Sequence, residues 1–173
     1  MQRGYAPFLY FVAVLGLEAA VQEECRIIEA LQNKLTYQQR LQYMKHYFPI
    51  NYTVNVQFEE VLRVANITRL RDQNVSEPSL RFLWFNVNTQ VLLKIQAVLL
   101  EKHPAWEYTR DLGLLFEQLA EYENCEQNDI NVCEVVEQVL SSDAGSSRKA
   151  VRPKALLDNC AKVMRMLYSE SCK

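Results

Sequence analysis

Glycine is scarce in this chain, at four in 173 residues, and histidine scarcer still, at two. So few glycines leave little material for the tight backbone turns of a phosphate-binding loop or a nucleophile elbow, and no Gly-x-Ser-x-Gly or Gly-rich phosphate motif is present. The histidines, His46 and His103, lie in unrelated segments, and neither His-Glu-x-x-His nor Cys-x-x-Cys occurs, so the chain calls for no metal and no cofactor. There is also little excess of charge: the formal net value is -2, against the strong basic balance a nucleic-acid partner would require. The local basic runs Arg69-Leu70-Arg71 and Arg148-Lys149 read as solvated loop charge, with weak contact to a sulfated proteoglycan as the alternative. Asp158 and Glu170 read as solvated helix faces rather than a working carboxylate pair. With no convergent polar constellation, the chain reads as a non-enzyme.

The chain also lacks an apolar stretch of the roughly 20 residues that a membrane-spanning helix needs. Its one apolar run, Tyr5 to Leu17, follows Arg3 and leads to the small residues Ala19 and Ala20, with the acidic Glu18, Glu23 and Glu24 around and beyond them. That pattern predicts a signal peptide over residues 1–20 and one domain over 21–173, a length that suits a single hydrophobic core. Export to the extracellular space makes the Asn-x-Ser/Thr sequons meaningful. Three are present, at Asn51, Asn66 and Asn74, all between Pro49 and Pro78. Their clustering predicts an exposed connecting loop.

What the chain has in quantity is helical periodicity. A first helix is expected from about Glu23 to Tyr47, with Ile27, Ile28, Leu31, Leu35, Leu41, Met44 and Phe48 near one face and Pro49 ending it. A second starts behind Ser76, a good N-cap with Pro78 in the first turn, and carries Leu80, Trp84, Val87, Val91, Ile95 and Val98. After His103-Pro104 a third stripe uses Leu112, Leu115, Leu119 and Tyr122, widened by Trp106 and Phe116. The fourth begins near Pro153 and uses Leu156, Cys160, Val163 and Leu167. Connectors are long, very short and long in turn. The tight middle link makes helices two and three antiparallel neighbours, and the long links allow the up-up-down-down bundle. The alternating segment Thr53 to Phe58 predicts a short strand, with a partner around Lys149 to Arg152. Val132, Val135, Val136 and Val139 predict a small extra helix before a Ser-Gly turn at 141–147. The fold class is therefore all-α, a short-chain four-helix bundle with a two-stranded β element in its crossovers.

Five cysteines leave at least one thiol unpaired within a monomer. In this topology the start of the first helix and the end of the last share one end of the bundle, which favours Cys25 with Cys172. Cys125 and Cys133 flank a short polar loop and form the natural local pair. Cys160 then sits as a buried thiol on an apolar face. The rival pairing, Cys25 with Cys160, stays open, because Cys160 is only about three turns from the helix end.

Two blocks, LQYMKHYFPINY from Leu41 and VRPKALLDNC from Val151, resemble the interleukin-34 family. VANITRLR from Val64, VSEPSLRFLW from Val75 and EKHPAWEY from Glu101 continue the likeness in the same order, while residues 117–150 match only loosely. The resemblance implies a secreted cytokine, a non-covalent homodimer that binds the ectodomain of the macrophage colony-stimulating factor receptor and brings two receptor kinases together. It places the receptor face at the end of the second helix and on the third, at Gln90, Gln96, Leu99, Glu101, Leu115 and Gln118. Plain core packing is the competing role for Leu99 and Leu115. Asn66 matches the family's glycosylation position, and Ser169 stands where family members carry cysteine. Apart from the resemblance, a secreted carrier of a lipid or other apolar ligand is the competing function, since an apolar bundle can enclose a cavity.

Overall fold

The computed structural model describes residues 6–48, 51–125, 129–141 and 147–173, with residues 6–12, 138 and 139 described by backbone alone. Pro49 and most of the Ser-Gly turn at 141–147 lie outside these. Among the described residues seven α-helices run in chain order: α1 Ala6–Lys34, α2 Tyr37–Leu41, α3 Val64–Asp72, α4 Glu77–Ala97, α5 Pro104–Leu119, α6 Ile130–Ser141 and α7 Pro153–Tyr168. Two strands, β1 Val54–Gln57 and β2 Arg148–Val151, pair antiparallel with Val54 opposite Val151 and Gln57 opposite Arg148.

Local chemistry explains most of these boundaries. Ser76 caps α4 by accepting from the Ser79 amide, and Pro78 follows in the first turn, where a missing N–H costs nothing. Pro104 and Pro153 open α5 and α7 for the same reason. The expected first helix is corrected at both ends. It begins as early as Ala6, because Pro7 falls in the first turn and the apolar run carries the helix through the single Gly16 into Glu23. It also stops at Lys34, where Thr36 takes an extended conformation and its hydroxyl caps the restart at α2. A π-type turn over Gln42–His46 follows α2; of the expected inward face Ile27, Ile28, Leu31, Leu35, Met44 and Phe48 are buried, while Leu41 is only half-buried.

The first crossover holds a helix that periodicity did not reveal. In α3 only Ile67 is buried, too short a stripe to stand out, and Asn66 caps it by accepting from the Arg63 amide at 2.9 Å. Arg69 and Arg71 are therefore helical rather than loop residues, and Arg71 is paired with Glu77 at 2.6 Å. Arg148 and Lys149 likewise belong to β2. On the predicted stripe of α4, Leu80, Trp84, Val87, Val91 and Ile95 are buried, but Val98 is 49% exposed, since the helix has already ended at Ala97. In α6, Val132 and Val136 are buried; the side chain of Val139 lies outside the described residues.

Cross-helix bonds set the directions. Arg81, early in α4, donates to the carbonyl of Leu167 at the end of α7 (3.0 Å) and to Ser171 Oγ (2.8 Å). Trp84 Nε1 donates to the Cys160 carbonyl at 3.1 Å, and Tyr108, early in α5, donates to the Lys34 carbonyl that closes α1 (2.7 Å). So α1 and α4 run one way, α5 and α7 the other, and each member of one pair packs against both members of the other. This is the up-up-down-down arrangement. Trp84 meets Phe116 at 5.3 Å and Tyr168 at 5.7 Å between ring centroids, and these fully buried rings fill the centre.

Candidate functional site

The end of α4 and the turn into α5 form an anchored corner. His103 is the N-cap of α5: its Nδ1 accepts from the Ala105 amide at 3.1 Å, and Nε2 lies 3.1 Å from the Tyr47 carbonyl. With Nδ1 accepting, Nε2 carries the hydrogen and donates to that carbonyl. The imidazole also packs against the Phe48 ring, 5.4 Å between centroids. One side chain thus ties the α4–α5 turn to the segment after α2.

Around this corner the six residues expected to face a receptor fall into two groups. Gln90 and Gln96 are half-buried on α4, Leu99 is half-buried and packs on the core, and Glu101 is exposed in the turn. Leu115, also packed on the core, and the exposed Gln118 lie on α5. Phe85 and Phe116 stack at 6.0 Å, which sets Leu115 and Gln118 level with the first half of α4. Gln96 is eleven residues beyond Phe85, roughly 16 Å further along the helix. Gln96, Leu99 and Glu101 therefore gather at the corner, Leu115 and Gln118 sit toward the opposite end, and Gln90 stands between.

Sequence reasoning missed the apolar part of this corner. Leu93 is 54% exposed and Leu100 79% exposed, beside Val98 and the partly exposed Tyr47. The phase of the α4 stripe carried the signal: with Val91 and Ile95 inward, Leu93 must point away from the core. Along α5, Lys34 donates to Asp111 at 2.6 Å, and that hydrogen bond holds the Asp111 carboxyl below its ordinary range.

The sequons differ in setting. Asn51 and Asn74 are exposed, and Asn74 has φ of 63° directly after α3, a left-handed conformation that asparagine tolerates better than most residues. Asn66 is half-buried on a helix, not in an open loop. Its cap uses the side-chain oxygen and leaves the amide nitrogen, where a glycan attaches, out of that bond.

Cys25 and Cys172 form a disulfide with Cα atoms 5.2 Å apart, and Cys125 and Cys133 form a second. Cys160 is free and buried, and burial pushes its thiol up to about 12, which makes it inert.

A bundle with two long crossovers, a small sheet joining them, a disulfide across one end and a filled aromatic centre defines a helical cytokine. Within that class the assignment is specific: the family model described as Interleukin 34 matches residues 18–173, and the chain belongs to that family. Interleukin 34 is a cytokine family and not an enzyme class.

Proposed function

We propose that the chain is a secreted ligand of the macrophage colony-stimulating factor receptor, acting as a non-covalent homodimer that holds two receptor ectodomains together. Two copies of one site related by symmetry turn the second binding event into an intramolecular one, so pairing of the receptors follows from binding alone. The observation that carries this reading is the family match across residues 18–173. The exposed corner supports it: Leu93, Val98 and Leu100 provide an apolar centre, and Gln90, Gln96 and Glu101 a polar rim, the usual anatomy of a protein interface. Leu115 and Gln118 extend the face along α5.

The leader fits the same reading. Among the residues of α1 whose side chains are described, Val14, Leu15, Leu17 and Val21 are exposed and Ile27 is the first buried apolar one, so cleavage near Ala19 or Ala20 leaves every described core residue of α1 in place. N-terminal sequencing of protein collected from culture medium checks this, with a start near residue 20 expected.

The direct test is binding of purified, glycosylated protein to the immobilised receptor ectodomain of the same species, with receptor phosphorylation on cells as the second readout. Leu100→Glu should weaken binding at least tenfold, because burying an unpaired charge in an interface costs more than about 1.4 kcal/mol. Glu101→Ala, at the rim, should change it less. Failure of a folded dimer to bind would leave the fold without this receptor. The carrier alternative needs an open centre, which Trp84, Phe116 and Tyr168 occupy.

A further inference from the structure

Outside the α4–α5 corner and the leader, the two most exposed large apolar side chains among the described residues are Phe58, at 64%, and Ile130, at 63%. They do not stand apart. Phe58 lines an open hollow of about 370 Å³ together with Asn66, Arg69 and Lys149, and Ile130 lines a second of about 530 Å³ together with Asn74 and Val75. Both hollows also contain Leu70 of α3, Leu83 of α4 and Val135 of α6, so they are two halves of one trough between α3 and α6. Leu83 lies thirteen residues before Gln96 on α4, roughly 20 Å along the helix, which keeps the trough clear of the corner. Each half holds the asparagine of a sequon. Asn66 spends its side-chain oxygen on the Arg63 amide and keeps Nδ2 out of that bond, while Asn74 is exposed directly after α3.

We propose that N-glycans attached at Asn66 and Asn74 fold back into this trough, each with its first sugar covering the apolar side chain beside it, Phe58 or Ile130, and so close the face to protein partners. The inference rests on the export proposed above. A sugar ring presents C–H groups on its faces and hydroxyls at its edge, so it lies on an aromatic face while its hydroxyls reach polar side chains. Phe58 supplies that face, and the exposed Glu59, Arg69 and Lys149 in the same half supply an acceptor and donors. At Ile130 the apolar partner is the acetyl methyl of the sugar, with Gln73 and Asn131 beside it for the hydroxyls. Both halves have the size of small-ligand sites. The point of attachment decides the occupant: a glycan bonded to a lining residue is held at high local concentration, so it covers the trough ahead of a free partner of equal affinity.

The test uses protein secreted from cells that make only high-mannose glycans, trimmed with endoglycosidase H to one N-acetylglucosamine per site and checked by peptide mass mapping. Its comparison is Asn66→Asp/Asn74→Asp, which carries no sugar at either position; aspartate keeps the cap on the Arg63 amide and tolerates the left-handed conformation at 74. Loss of the two sugars should lower the thermal midpoint by about 3 °C. In a Phe58→Ser/Ile130→Ser background, where the sugars have nothing apolar to cover, the same loss should be under about 1 °C. The charges added by aspartate are common to both backgrounds and drop out of the difference. Equal losses would overturn the proposal, as would absence of sugar at either asparagine of the secreted parent, a result that leaves receptor binding to be judged by its own assay. A direct readout needs no substitution: with carbon-13-labelled N-acetylglucosamine, nuclear Overhauser contacts from the sugars to the Phe58 ring and the Ile130 methyls are expected, and sugars that show none would sink it. Should a second copy of the chain fill the trough instead, Phe58→Ser/Ile130→Ser would split the dimer of the fully glycosylated protein, and that outcome too overturns the proposal.

Discussion

Glu60 shows how much one residue can hold in this fold. Its side chain is fully buried, yet Oε2 accepts from Lys94 Nζ at 2.5 Å and from the Gln57 amide at 2.6 Å. It thereby fastens the end of β1 to α4. A buried carboxylate is tolerable only with such partners, and removing it strands a half-buried ammonium and an amide. Glu60→Ala should therefore cost about 3 kcal/mol in urea denaturation, far more than alanine at an exposed glutamate such as Glu59. Nothing in the sequence marks Glu60 out from its neighbour, because Lys94 reaches it only after the crossover has folded back. Trp84, by contrast, was legible: its position on a clean stripe predicted burial, and only its bond to the Cys160 carbonyl needed the structure.

At the scale of the element, the start of α4 is a shared joint. Ser76 Oγ caps the helix and also donates to Asp129 Oδ2 at 2.6 Å, as does the Ser76 amide at 3.2 Å. Asp129 directly precedes α6, so one carboxylate docks α6 on the N-terminus of α4. Ser76→Ala should cost about 1 kcal/mol for the lost cap and also free α6, seen as faster hydrogen exchange over 130–137 than over 80–95. The Ser76 and Ser79 hydroxyls hold the Asp129 carboxyl below its ordinary range. Its contribution is present above the unfolded value and disappears as pH falls through the folded one, so α6 should release in acid. The cap was readable from Ser-Glu-Pro, whereas the break at Thr36 and helix α3 were not. Thr36 sits in a continuous apolar phase that a helix could have spanned, and α3 buries too few side chains to leave a period.

Across the whole molecule, the two disulfides constrain very different loops. Cys25 and Cys172 are 147 residues apart in sequence and Cys125 and Cys133 only 8. By loop entropy, paired serine substitutions should cost about 5 kcal/mol for the first and about 2.5 kcal/mol for the second, measured as the loss of unfolding free energy in urea.

Composition, periodicity and connector lengths by themselves determined a helical chain, its four main stripes, the strand pair and the up-up-down-down order, because helix phase and the reach of a short link are local properties. The family likeness was carried instead by residue blocks, LQYMKHYFPINY from Leu41 and VRPKALLDNC from Val151. Only the tertiary structure decided which apolar residues stay exposed at the α4–α5 corner and where the receptor-facing candidates separate. The same holds for Glu123 and Tyr168, which meet although they are distant in sequence. Such encounters depend on how helices rotate about their axes and where crossovers return, and these are set by packing of the whole core rather than by any segment within it.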